Sequence, residues 1–325
     1  MGTATTRHIS LDTIREAANG IYDVAVRTPL VRLPTEPGQP EIHLKLEILQ
    51  PIGSFKIRGA YNAVRHLTAE QMAEGVWTVS AGNAAQGVAL AARTRGAPCS
   101  VLVMDTAPDT KLRAIERLGA SIVRASYEEC WKAVEQHTSG RMRGRLVHPF
   151  DDDLFISGNG TIGLEIIEDL PDVDAVIAPL GGGGLLAGIA CALRALRPEA
   201  RIYAAEPETA APLAASFRAG RASYFDGWQP SFVDGAGGRS VVEGMWPLLR
   251  QWVTESLVVT LDEAASAMKL VADRVHVIAE GAAACAVAAA VAPALAERGH
   301  RKIVAVVSGG NIDLSRFAQL VGACK

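Results

Sequence analysis

The sequence predicts an α/β fold built from open, parallel-rich sheets. Two observations point there. Short apolar runs with strand character alternate with longer helical patterns along most of the chain. The stretches joining those runs are long enough to hold a helix, which is the crossover that parallel strands require. A third observation, a glycine loop set between an apolar run and a helical stretch, places a ligand site on that frame.

Taken in order, an apolar strand pattern at 42–46 comes first. One α/β series then has strands at 76–80, 99–104, 121–123 and 146–147, separated by helices at 84–94, 111–118 and 127–138. A second series runs through helix 158–169, strand 175–179, helix 185–196 and strand 201–206. It finishes with helices at 262–275 and 282–298 and a strand at 302–307. Residues 225–244 are rich in Gly and Trp without clear periodicity and read as a loop near a site or a dimer contact.

Length and composition narrow the class. A chain of 325 residues has room for two domains and a large core. With 21% charged residues and a formal net charge of −3, nothing favours binding to nucleic acid. Cys99, Cys130, Cys191, Cys285 and Cys324 are scattered without C-x-x-C spacing, which reads as reduced thiols in a cytoplasmic protein. The Ala-rich stretch 282–296 contains Pro293 and is too short to span a bilayer, so no membrane partner is expected and the stretch reads as a buried helix. No signal-peptide core is present, and the start, Met1-Gly2-Thr3-Ala4-Thr5-Thr6, fits a myristoylation pattern.

Four segments carry chemistry. In Pro51-Ile52-Gly53-Ser54-Phe55-Lys56-Ile57-Arg58-Gly59-Ala60, Lys56 stands at the mouth of a helix in apolar company. Desolvation lowers the pKa of such an amine, and its neutral form is the one that attacks a carbonyl. In Leu180-Gly181-Gly182-Gly183-Gly184-Leu185, a strand, a glycine loop and a helix follow one another, which suits one phosphate on converging backbone N–H groups. No lysine follows the glycines as in a nucleoside-triphosphate loop, and the dinucleotide G-x-G-x-x-G spacing is imperfect. In Ser80-Ala81-Gly82-Asn83-Ala84, small residues and Asn open a helix, as an anion site or an ordinary cap. Ser308, followed by Gly309 and Gly310, ends a buried strand and either caps the next helix or faces a ligand.

Together these segments resemble the fold-type II pyridoxal-phosphate enzymes, the threonine dehydratase and serine racemase family, from about Ile9 to Phe317. Arg27-Thr28-Pro29-Leu30, His148-Pro149-Phe150-Asp151-Asp152 and Gly160-Thr161-Ile162-Gly163-Leu164-Glu165 extend the likeness. The resemblance implies a tryptophan-synthase-β-like architecture with the active site between two open domains. Residues 1–76 and 147–325 would form the large cofactor-binding domain and 77–146 a small mobile one. It implies pyridoxal 5'-phosphate as cofactor, with Lys56 as the imine-forming lysine and Phe55 packed beside it. Gly181, Gly182, Gly183, Gly184 and Leu185 match the phosphate cradle, Asn83 the partner of the cofactor's phenolic oxygen, and Ser308 the hydroxyl at the pyridine nitrogen. Ser80, Ala81, Gly82, Asn83 and Ala84 match the loop that holds the substrate carboxylate.

The implied activity is β-elimination of water from a β-hydroxy-α-amino acid, giving a 2-keto acid and ammonium. A serine at the ring nitrogen leaves the pyridine neutral, which favours elimination over transamination. The implied partners are a small amino-acid substrate and a second copy in a homodimer. A β-replacement enzyme or an amino-acid racemase of the same fold is the alternative. Racemases of the family carry a catalytic hydroxyl where Ala81 stands, and many relatives carry histidine where Ala84 stands. The smaller Ala84 makes room for a β-substituent as large as the phenyl group of phenylserine, with threonine and serine as the smaller options. Glu206 and Ala210 match a metal site found in some relatives, but Pro212 replaces its last hard ligand, so no metal is expected. With the last residue at Lys325, the extra C-terminal regulatory domain of some biosynthetic relatives is not expected.

Overall fold

Parallel pairing dominates both sheets of the computed structural model, which describes residues 7–36 and 38–324. The myristoylation pattern of the first six residues lies outside the described residues. Helix α1 (Leu11–Ile21) begins with a capping box on Ser10. Strands β1 (Leu30–Leu33) and β2 (Glu41–Lys45) pair antiparallel. Helices α2 (Lys56–Arg65) and α3 (Ala69–Glu74) lead into β3 (Val76–Val79). Then come α4 (Asn83–Arg95), β4 (Cys99–Met104), α5 (Asp109–Arg117), β5 (Ser121–Ala125), α6 (Tyr127–Gln136) and β6 (Arg145–Leu146).

The chain continues through α7 (Asp153–Asp169), β7 (Ala175–Pro179), α8 (Gly184–Leu196), β8 (Arg201–Pro207) and α9 (Pro212–Ala219). It proceeds through α10 (Trp246–Trp252), β9 (Glu255–Val259), α11 (Leu261–Val275) and α12 (Gly281–Val291). The last elements are α13 (Pro293–Glu297), β10 (Lys302–Val306) and α14 (Leu314–Gly322).

Among the described residues the strands form a six-stranded sheet, β1-β2-β10-β7-β8-β9, and a four-stranded sheet, β5-β4-β3-β6. Only the β1–β2 pair is antiparallel. Strand β7 is buried at every position because helices cover both faces of its sheet, hence its unbroken apolar run. On one face lies α12, whose small Ala side chains are buried against β7 and β10 residues such as Ile177 and Ala305. On the other lie α7 and α8, packed on Val176, Ala178 and Val304.

The structure adds α1, β1, α3, α9, α10 and α14, which the sequence reading did not give, and three other differences have a clear physical cause. The expected helix 282–298 is broken at Ala292, which adopts φ −65° and ψ 143° because Pro293 forces its predecessor out of the helical region. Helix α7 begins at Asp153 rather than 158, with Asp152 accepting the Phe155 N–H at 2.9 Å as its cap. The glycines of that stretch are close-approach residues inside the helix: a Cβ at Gly158 would lie 2.5 Å from the Arg58 carbonyl oxygen. Strand β9 went unread because it is a short, half-exposed edge strand.

The chain enters the four-stranded sheet at Val76 and leaves it after Leu146, and these two crossings touch. The Arg145 N–H donates to the Gly75 carbonyl at 2.9 Å. Gly75 and Gly144 both have positive φ, +87° and +80°, and a Cβ at Gly144 would sit 2.1 Å from the Gly75 oxygen. Further contacts join the two sheet units. Lys111 pairs with Asp234, and the Arg239 guanidinium lies 3.9 Å from the Trp228 ring centre and 4.6 Å from that of Tyr127. His137 Nε2 lies 3.5 Å from Asp151 Oδ2. No helix among the described residues is long and apolar enough to cross a membrane.

Candidate active site

Lys56 is the first residue of α2, as expected of a lysine at a helix mouth. Its Nζ donates to the Pro149 carbonyl at 2.6 Å and lies 5.2 Å and 5.3 Å from the ring centres of Phe55 and Phe155. Desolvation in this apolar surround pulls the amine down to about 8, so a sizeable fraction is neutral near physiological pH. The segment before it is stitched to the end of β10. Phe55 N–H donates to the Ser308 carbonyl at 3.0 Å, and Ser54 bridges Gly309. Ser308 is therefore brought next to the lysine's own segment. It does not cap the following helix, because Asp313 stands at the start of α14.

A buried ion cluster anchors α2 from behind. Arg58 Nε pairs with Glu47 at 2.7 Å and its Nη1 with Glu165 at 2.6 Å, while Lys45 reaches Glu165 at 2.6 Å. All four side chains have essentially no solvent access. Burial opposes the Arg58 charge, but Glu47 and Glu165 more than offset it and raise its pKa. The cluster joins β2, the turn after it, α2 and α7, so the first turn of α2 is held on three sides.

The glycine loop opens α8, whose first N–H groups have no intrahelical acceptor. Side chains cannot be added to this loop without collision. A Cβ at Gly181 would meet the Gly235 oxygen at 2.7 Å, one at Gly182 would lie 2.0 Å from the Phe150 ring, and one at Gly184 would lie 2.6 Å from the Phe150 oxygen. Gly183 adopts φ +93°. The loop is thus a packed cradle and not a flexible linker.

In the loop after β3, Ser80 Oγ accepts the Gly82 N–H at 3.1 Å, and no side chain caps α4. Ala84 is buried, and a Cβ at Gly82 would meet nothing within 4 Å, so space opens over this loop. Asn83 is held from across the cleft. Its Nδ2 donates to Glu280 Oε1 at 2.8 Å, and its Oδ1 accepts from Asn311 Nδ2 at 2.8 Å. Burial raises the Glu280 carboxyl to about 7, against the pull of the Asn83 amide and the Asn311 N–H. A cleft of about 470 Å³ between Gln86 and Lys111 on one side and Asp234, Glu280 and Arg316 on the other is lined by this carboxyl and not by Lys56.

The sequence reading missed Glu280, Asn311, Phe150, Phe155 and the Pro149 carbonyl. A lone acid opening an apolar alanine helix was the one signal for Glu280. Glu206, matched to a metal site, accepts the N–H groups of Leu213 at 2.8 Å and Ala214 at 2.9 Å. It thereby tethers the start of α9, where Pro212 is the first residue. Among the described residues no cluster of His, Cys, Asp and Glu could hold a metal ion.

Comparison with known proteins decides the family. The family model described as "Pyridoxal-phosphate dependent enzyme" matches residues 21–309. The chain belongs to this family. Its cofactor is pyridoxal 5'-phosphate. The L-threonine ammonia-lyase of Thermotoga maritima is 39% identical over 319 residues, 96% of this chain and 78% of that protein. The catabolic L-threonine dehydratase of Staphylococcus aureus is 36% identical over 326 residues, covering 98% and 94%. Maize serine racemase superposes with a TM-score of 0.87 at 35% identity, over 96% of both chains. The fold-type II architecture expected from the sequence is the one observed.

The described residues of this pyridoxal-phosphate-dependent enzyme fit the group. The amine of Lys56 is desolvated, and the cradle at 181–184 is bare of side chains at a helix N-terminus. Ser54 Oγ, two residues from the lysine, is buried with no hydrogen-bond partner among the described residues.

Proposed function

We propose that this pyridoxal-phosphate-dependent enzyme is an ammonia-lyase that converts L-threonine, L-serine or a bulkier β-hydroxy-α-amino acid to the 2-keto acid and ammonium. The bound cofactor supplies an electron sink for the substrate's α-carbon. The protein supplies orientation, a base and a dry site. Lys56, Phe55, Asn83, Ser308 and the N–H groups of Gly181 to Leu185 would hold the cofactor, and the loop from Ser80 to Ala84 the substrate carboxylate. Lys56 Nζ is the group that takes the α-proton. A base near 8 suits that task at neutral pH. Ser308 presents an uncharged hydroxyl, so it imposes no proton on a ring nitrogen that faces it.

The observation that carries the reading is one base without a second: Lys56 has a desolvated amine, while position 81, where racemases of the family place a hydroxyl, is alanine. Relatives over nearly the full length are an L-threonine ammonia-lyase and an L-threonine dehydratase, which supports the same reaction class. Residues 77–146 would act as a small mobile domain over the larger one formed by 1–76 and 147–325. The five free cysteines suit the cytoplasm, and a homodimer is the assembly this reading takes.

The test is a panel of threonine, serine and phenylserine with the holoenzyme, following keto acid and ammonium. Keto acid from at least one of them is expected, and Lys56→Ala should lower it by more than about 10⁴-fold, beyond a single acid–base group. An intact yellow chromophore with no keto acid from any of them would refute the lyase reading. New product from serine plus sulfide would point to β-replacement, and D-serine from L-serine to a racemase.

A further inference from the structure

Asn83 belongs to α4, which connects β3 and β4 of the four-stranded sheet, yet its amide is gripped by two residues packed with the six-stranded sheet. The sense of that amide follows from a chain of donors with a fixed start. The Ile52 carbonyl can only accept, and Asn311 Nδ2 lies 2.8 Å from it. The second hydrogen of the same nitrogen reaches Asn83 at 2.8 Å, so the Asn83 atom facing it is the oxygen. The Asn83 nitrogen then faces Glu280 Oε1 at 2.8 Å, an acceptor in either protonation state of that carboxyl. One hydrogen of Asn83 Nδ2 is used there, and the other has no partner among the described residues.

We infer that Glu280 is a positioning residue for Asn83: its carboxyl oxygen locks the amide so that an N–H, and not the carbonyl, is offered to the cofactor's ring oxygen. This rests on the assignment of Asn83 to that oxygen. Asn311 closes the other side of the grip, but it is exposed, so water competes with its hydrogen bond and Glu280 is the stronger lock. Because both partners come from across the cleft, the amide is oriented only while the two sheet units stand together. A hydrogen bond donated to a developing oxyanion stabilises its charged form and lowers the pH at which the oxygen loses its proton.

The test compares two neutral replacements, so that loss of the Glu280 charge is common to both. Glu280→Gln keeps an acceptor oxygen, which the Asn83 and Asn311 N–H groups would select, whereas Glu280→Leu keeps none. The readout is the pH midpoint of the visible absorption band of the bound cofactor. The Leu variant should titrate above the Gln variant by up to about one pH unit, the scale of one hydrogen bond to a charged oxygen. In an Asn83→Ala background the two should titrate alike, because the side chain through which they differ is gone. If Glu280→Leu does not fold, Glu280→Ala serves as the acceptor-free partner. Equal midpoints for the Gln and Leu variants with Asn83 intact would overturn the inference, and so would an equal gap after Asn83→Ala. An unshifted midpoint in Asn83→Ala alone would remove the role of Asn83, and the inference with it.

Discussion

Glu280→Gln also tests how much a carboxyl in the cleft costs the folded protein. Burial lifts this group from the ordinary 4.5 to about 7, with Asp234 opposing ionisation and Asn83, Asn311 and Lys111 favouring it. Between those two values the unfolded chain has given up the proton while the folded protein retains it. Stability therefore falls as pH rises through that window, and below it the group contributes nothing. At about 1.4 kcal/mol per pH unit, the loss above pH 7 is at most about 3.5 kcal/mol, less whatever solvent reaches the carboxyl from the cleft. Glutamine cannot ionise and keeps the shape. The cofactor-free variant should thus match the parent near pH 4.5 and exceed it in stability at pH 8. Urea denaturation of both proteins at the two pH values measures the gap. A gap of equal size at both, or one that shrinks as pH rises, would refute the reasoning.

Three other variants address the remaining parts of the site. Gly182→Ala drives a methyl into the Phe150 ring, an overpacking of about 1–3 kcal/mol, and should weaken cofactor binding in a fluorescence titration; unchanged affinity would contradict a phosphate cradle there. Arg58→Met leaves Glu47 and Glu165 buried without their main partner and should cost about 3–5 kcal/mol, read from the urea midpoint; a loss well under 1 kcal/mol would mean the cluster relaxes or takes up water. Ala84→His places a ring in the loop proposed to hold the substrate and should suppress phenylserine turnover more than threonine turnover, compared as kcat/KM. Equal losses would reject the bulkier-substrate reading.

What was legible in the sequence was whatever depends on neighbours along the chain. The strand run at 175–179 is apolar throughout, and that at 99–104 nearly so, because parallel strands between helices hide most of both faces, and both strands stand where expected. Lys56 and the glycine loop were legible because a strand, a turn and a helix mouth lie within a dozen residues of each other. Glu280 and Asn311 were not, because they meet Asn83 across 197 and 228 residues of chain. No local pattern distinguishes an acid that opens a helix in solvent from one that faces a ligand. The glycines of α7 misled for a related reason: their purpose is the close approach of α2 and α8, which only tertiary packing reveals.

Were residues 77–146 to move as proposed, the touching crossings at Gly75 and Gly144 would set how the smaller sheet travels. Two chain segments bonded side by side resist twisting but allow rotation about their common line, so any swing pivots at the β6–β3 margin. Strand β5 stands two strands out from β3, about 10 Å from that pivot line, and α5 packs near it, so these parts sweep the longest arc. Were the smaller sheet to swing so, the Lys111–Asp234 pair would separate early and the contacts beside the pivot would hardly stretch. The far rim would then widen first and give an amino acid its entrance.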